Sequence, residues 1–141
     1  MTEKRVVLFL CTGNSCRSQM AEAIVNTRLG EDWYAVSAGT KPTGYVHPKA
    51  LAALAEIGIQ HNGRSKSVNE YRDVDFNLVV TVCNSAAEEC PLWLGSGERI
   101  HHSYPDPAEV KGTEEAITTV FRQVRDDIER EIITLLNSYI P

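Results

Sequence analysis

The reactive side chains of this chain gather first in the segment Cys11-Thr12-Gly13-Asn14-Ser15-Cys16-Arg17-Ser18, which directly follows the apolar run Val6-Val7-Leu8-Phe9-Leu10. Gly13 and Asn14 tolerate positive φ, so the amides of Thr12 to Cys16 can turn inward around one centre. A helix opening at the end of the segment adds unpaired N–H groups and a positive pole. Together these make a nest for a tetrahedral anion. The planar guanidinium of Arg17 grips two oxygens of such an anion. The same field favours a thiolate at Cys11, and the thiolate is the nucleophilic form. Cys followed six residues later by Arg is a common accident. Here the spacing gains meaning from the buried strand before it, the Gly/Asn/Ser content within it, and the helix after it.

Two further cysteines, Cys83 and Cys90, follow a second apolar run. Their six-residue gap is too wide for a zinc knuckle, and no His pair matches them. His101 and His102 are adjacent, so on a strand they point to opposite faces and read as surface residues. Asp106 stands between Pro105 and Pro107, which stiffen the backbone around it. From the residues alone it reads as a turn aspartate. Cys16 lies within the loop and reads as a thiol packed beneath it.

These groups need a frame. Val6–Leu10 reads as a strand buried on both faces, hence part of a parallel sheet. Ser18 to Leu29 carries Met20, Ala23 and Ile24 at helical spacing and stops at Gly30. Tyr34 to Ser37 is a second strand, and Pro48 opens a helix that ends near Gly58. Phe76 to Val82 is a third strand, with a short helical piece predicted over Ser85 to Cys90. Arg99 to His102 is a weaker fourth strand. Ile117, Phe121, Val124, Ile128, Ile132, Leu135 and Tyr139 mark a long final helix, with Thr113 as its N-cap. Strands alternating with helices imply an α/β parallel sheet covered on both sides, with ligands beyond the carboxyl ends of the strands.

The chain has 141 residues, a net charge of −5, 43% hydrophobic and 23% charged residues. That suits one domain over residues 1–141, large enough to bury a core. The acidic balance disfavours nucleic acid or an acidic membrane as partner. No segment is apolar for long enough to span a bilayer, and the five-residue run near the N-terminus is too short for a secretory signal. The expectation is a cytoplasmic monomer, where cysteines are catalytic, redox-active, metal-binding or simply buried rather than joined in structural disulfides.

The stretch CTGNSCRSQMAEA resembles the phosphate loop of the low-molecular-weight protein tyrosine phosphatases, and more closely that of the related thioredoxin-coupled arsenate reductases. Gln19 matches the reductases, where the phosphatases usually have Pro. The likeness continues through SAGT (37–40), HPKAL (47–51), LVVTVC (78–83), ECP (89–91), DP (106–107) and FRQVRDDI (121–128). It implies a single α/β domain with a four-stranded parallel sheet flanked by helices. It implies Cys11 as nucleophile, Arg17 as oxyanion clamp, Ser18 as hydrogen-bond donor to the thiolate, Asn14 as loop organiser and Asp106 as general acid. It gives Cys83 and Cys90 the role of a disulfide relay to an external thiol reductant such as thioredoxin, with no bound cofactor and no metal. In some phosphatases of the family the counterpart of Cys16 forms a protective disulfide with the nucleophile.

The leading expectation is therefore reduction of arsenate to arsenite. A phosphatase acting on phosphotyrosine or small phosphoesters is the alternative, using Cys11, Arg17 and Asp106 alone. Ala108-Glu109-Val110, where the phosphatases place aromatic residues, argues against it. A non-catalytic redox or oxyanion sensor is a third reading. One departure stands out: some reductases hold a potassium ion behind the loop with residues matching Asn14, Glu22 and Ser37 plus an acidic residue, but Arg64-Ser65-Lys66 occupies that last region here. Lys66 or Arg64 is expected to supply the positive charge itself.

Overall fold

The computed structural model describes residues 4–84, 93 and 95–140. Four strands, β1 (Arg5–Cys11), β2 (Trp33–Gly39), β3 (Leu78–Thr81) and β4 (Glu98–His101), lie in the order β2-β1-β3-β4. All neighbouring pairs are parallel. Three helices accompany them: α1 (Arg17–Arg28), α2 (Pro48–Glu56) and α3 (Glu114–Asn137). Val68–Tyr71 and Pro107–Glu109 form short 3-10 turns.

β1 is the central strand. Its side chains alternate between two apolar clusters, as a strand's period of two requires. Val7, Phe9 and Cys11 face a large cluster that takes Met20 and Ile24 from α1, Leu54 from α2, and Phe121, Val124 and Ile128 from α3. Leu8 and Leu10 face a smaller one with Val36, Val68, Phe76, Val79 and Trp93. Among the described residues, then, the three helices share one face of the sheet. On the other face the described residues are the 3-10 turn after Ser67, Phe76 and Trp93. The expected helix over Ser85 to Cys90 lies outside the described residues.

The strand ends differ modestly from the periodicity. β2 runs from Trp33 to Gly39, in full register with Arg5 to Cys11, because Trp33 is buried at its start and Gly39 lies against the Cys11 loop. β3 is only Leu78–Thr81; Phe76 packs its ring against Tyr71 and Trp93 instead of joining the sheet. α3 starts as expected, with the Thr113 hydroxyl accepting the Ala116 N–H at 3.1 Å.

β1 and β3 both run toward the same end of the sheet, with Leu10 opposite Thr81. The Val82 N–H donates to the Leu10 carbonyl at 2.8 Å, so the chain just past β3 stays alongside the start of the Cys11 loop.

Candidate active site

The loop from Cys11 to Arg17 joins β1 to α1, and its carbonyls point outward. The Thr12 carbonyl accepts from the Lys41 N–H (2.9 Å), that of Gly13 from Thr43 (3.0 Å), and that of Ser15 from His47 (3.0 Å). The Ser65 hydroxyl also donates to the Gly13 carbonyl at 3.0 Å. A peptide plane whose C=O is tied outside turns its N–H to the inside. The segment from Lys41 to His47 thereby frames an anion nest by backbone contacts alone. Asn14 has φ of 49° and is the one non-glycine with positive φ among the described residues. Its N–H donates to Cys11 Sγ at 3.2 Å. Gly39 backs the loop so closely that a Cβ there would lie 2.4 Å from the Thr12 carbonyl oxygen.

Cys11 is 2% exposed and sits at the floor of a cleft of about 790 Å³. Thr12, Gly13, Ser15, Cys16 and Arg17 also line it, joined across the opening by His47, Asn84 and Asp106. Ser18 Oγ lies 2.8 Å from Cys11 Sγ. Asn14 Nδ2 donates to the same Oγ at 2.8 Å, which leaves the Ser18 hydroxyl proton for the sulfur. Two donors therefore converge on the sulfur of Cys11.

The buried Arg17 guanidinium is held at the cleft wall. Its Nη1 donates to the Tyr104 carbonyl at 3.2 Å, and its Nη2 lies 3.5 Å from Asp106 Oδ2. Tyr104 is itself anchored on α3, through its hydroxyl to Glu131 Oε1 at 3.1 Å. The turn reading of Asp106 holds in the geometry. Oδ1 accepts the Ala108 N–H at 3.0 Å and caps a 3-10 turn, while Oδ2 faces Arg17 and the cleft. One oxygen of the carboxyl is thus fixed in the turn, and the other lies beside Arg17 at the cleft.

Cys16 and Cys11 are free thiols. Burial above all, with the charges of Asp106 and Cys11 adding to it, pushes the Cys16 thiol up to about 12. It stays protonated, as a residue packed beneath the loop should. Cys83 is fully buried in the same cluster as Cys11 and is disulfide-bonded. Cys90 lies outside the described residues.

Behind the loop the structure gathers the residues singled out there, Glu22, Ser37 and Lys66, and adds His61, which no motif marked. Lys66 is buried, with Nζ donating to the Arg64 carbonyl at 2.9 Å and lying 3.6 Å from Glu22 Oε1. Ser37 Oγ donates to the same Glu22 oxygen at 2.9 Å. Arg64 is exposed and paired with Glu70. Of the two cations expected there, the ammonium of Lys66 is the one beside Glu22 and Ser37. Gln19 and His61 join this group: His61 Nε2 is 2.7 Å from Gln19 Oε1 and 3.7 Å from Glu22 Oε2. His47, on the cleft side, accepts the Lys49 N–H on Nδ1 at 3.1 Å, and burial followed by the Lys49 charge pulls its pKa down. Of the adjacent histidines, His101 is exposed as expected, whereas His102 is half-buried against the Tyr104 ring.

Comparison with known proteins identifies relatives along nearly the whole chain. Residues 6–139 match the family model described as low molecular weight phosphotyrosine protein phosphatase. The chain is 45% identical over 132 residues to the arsenate reductase of Halalkalibacterium halodurans, covering 93% of this chain and 94% of that protein. Among solved structures, it superposes on an arsenate reductase in a phosphate-binding state with a TM-score of 0.75 and 26% identity, over 94% of this chain and 97% of the other. It superposes equally, at TM-score 0.75 and 25% identity, on a low-molecular-weight protein tyrosine phosphatase from T. tengcongensis, over 96% and 100% of the two chains.

Proposed function

The chain belongs to the low molecular weight phosphotyrosine protein phosphatase family, and from that premise we propose that it reduces arsenate to arsenite, with electrons drawn from an external dithiol such as thioredoxin. The observation that carries the reading is Cys83. It is buried, it follows the strand paired with β1, and it is disulfide-bonded while Cys11 is free. A phosphatase regenerates its nucleophile with water and has no use for a second redox thiol.

In the proposed sequence the Cys11 thiolate attacks arsenic held by the loop amides and Arg17. Asp106 protonates the departing hydroxide, which leaves as water, and a sulfur–arsenic bond forms. Cys83 then attacks Cys11 Sγ. The sulfur–arsenic bond breaks with its electron pair going to arsenic, arsenite departs, and a Cys11–Cys83 disulfide remains. Cys90 attacks Cys83, which frees the Cys11 thiolate and leaves Cys83–Cys90 for the external dithiol to reduce. Two thiols are oxidised for each arsenate reduced. A free Cys11 beside a disulfide-bonded Cys83 matches the state that the last internal step leaves behind.

Single-turnover reduction followed by disulfide mapping tests the relay. Cys90→Ser should trap Cys11–Cys83 and stop repeated turnover with thioredoxin. Cys83→Ser should keep any hydrolysis of small phosphoesters while losing arsenate turnover. Wild-type arsenate turnover by Cys83→Ser would transfer the assignment to the phosphatase reading.

A further inference from the structure

The hydrogen bonds behind Cys11 run in a single direction, and they begin farther out than the loop. The direction follows from donor and acceptor counts. Gln19 Nε2 has three oxygens within reach: the Asn14 carbonyl at 3.2 Å, Asn14 Oδ1 at 3.0 Å and the Arg64 carbonyl at 2.8 Å. Those acceptors settle which end of the Gln19 amide is nitrogen, so Gln19 Oε1 faces His61. An amide oxygen only accepts, so His61 Nε2 carries the proton and donates to it. Asn14 Oδ1 is likewise committed as an acceptor, taking the Lys66 N–H at 2.8 Å as well as Gln19, which turns its Nδ2 toward Ser18. Ser18 then has one proton left, and Cys11 Sγ is 2.8 Å away.

We propose that His61 and Gln19 are positioning residues for the nucleophile, forming the outer links of a chain in which His61 donates to Gln19, Gln19 to Asn14, Asn14 to Ser18, and Ser18 to Cys11. Donors aligned head to tail polarise one another, and here every dipole ends on the sulfur. The chain also holds Asn14 in its left-handed conformation, which a short polar side chain sustains only with local hydrogen bonds. Gln19 is fully buried with its amide consumed by these contacts. The fold leaves room for the outer link: a Cβ on Gly63 would lie 2.2 Å from His61 Nε2 and 2.5 Å from Gln19 Oε1. His61 also lines a second cleft of about 360 Å³, on a different set of residues from the cleft over Cys11, so the chain connects two surfaces of the molecule. Its effect on turnover rests on the arsenate reading; its effect on Cys11 does not.

The test is alkylation of Cys11 by iodoacetamide across pH, resolved by peptide mass spectrometry, in wild type, His61→Leu, His61→Gln, Gln19→Leu and the double Leu variant. Loss of one link should slow Cys11 alkylation near neutral pH about fivefold, the worth of one net hydrogen bond, and displace the pH–rate profile upward. His61→Gln keeps an N–H at the reach of Nε2 and should restore the wild-type profile. The double variant should be no slower than Gln19→Leu alone, because His61 acts through Gln19. In arsenate assays kcat should fall with KM unmoved, since the anion binds on the other side of the loop. Wild-type alkylation by His61→Leu overturns the proposal, as does a His61→Gln no better than His61→Leu, or an additive double variant. Absence of arsenate turnover in the wild type would strike the functional reading and leave the alkylation pattern to judge the chain.

Discussion

The two sides of the Cys11 loop are built on opposite plans. Behind it, Asn14, Gln19, Ser37, Glu22, His61 and Lys66 satisfy one another at close range, and the carboxylate of Glu22 faces an ammonium belonging to the protein. In front, Arg17 and Asp106 face each other at the wall of an open cleft. The back is a closed network that sets geometry. The front is an ion pair at the wall of a cleft wide enough to take a ligand. Preorganisation of this kind puts the cost of ordering the site into folding rather than into the reaction.

The contrast predicts where damage appears. Cys11→Ser, at the junction of the two sides, should abolish arsenate reduction and any phosphoester hydrolysis together, because a hydroxyl does not ionise near neutral pH and carries no redox step. Residual turnover in either assay would break the scheme at its root. Asp106→Asn is a purely frontal change. Its Oδ1 still accepts from Ala108, so the melting temperature should hold while the chemical step slows by about 100-fold, the lower range for loss of a general acid. A large drop in melting temperature would show instead that the aspartate is chiefly a turn residue.

Gly39→Ala strikes the back. The new methyl would press on the Thr12 carbonyl, a backbone atom with little room to give. Denaturant titration should show a loss of about 1–3 kcal/mol, the usual range for overpacking. Equal stability to the wild type would mean that the loop yields more readily than its contacts suggest. The smallest effect is expected from the buffer: exchanging sodium for potassium should leave the rate unchanged, since Lys66 already stands beside Glu22. A several-fold rise in potassium would show that the closed network still admits an ion.

Sequence and structure agree best where the information is local. A continuous apolar run, a Gly/Asn/Ser loop and a long periodic helix announce β1, the anion nest and α3, because the signal for each lies within its own residues. Arg99 to His102 shifts by one residue, to Glu98–His101, since an edge strand with exposed side chains has little hydrophobic pattern to mark its ends. The single-face placement of α1, α2 and α3 was not legible: an amphipathic helix records that it has a buried side, not which side of the sheet receives it. His61 and Gln19 were missed as a pair for the same reason. They lie 42 positions apart, and only the fold of the segment after α2 brings the imidazole to the amide. Lys66 was found, because an unexpected charge at a position of known environment is visible without coordinates.

The strip from Lys41 to His47 has a consequence for how such an enzyme could change. Its backbone N–H groups hold the loop's carbonyls, while Lys41, Thr43, Tyr45 and His47 turn side chains to the cleft. Scaffold and selectivity are thus written on the same few residues in separate alphabets, main chain and side chain. Exchange of Lys41 or Tyr45, both exposed, redraws what the cleft admits without touching the frame that keeps the sulfur reactive. A proline at 41, 43 or 47 would strike the frame as well as the lining, because it removes the N–H that holds the loop while it replaces the side chain. Drift in substrate preference is therefore inexpensive here, and drift in chemistry is not.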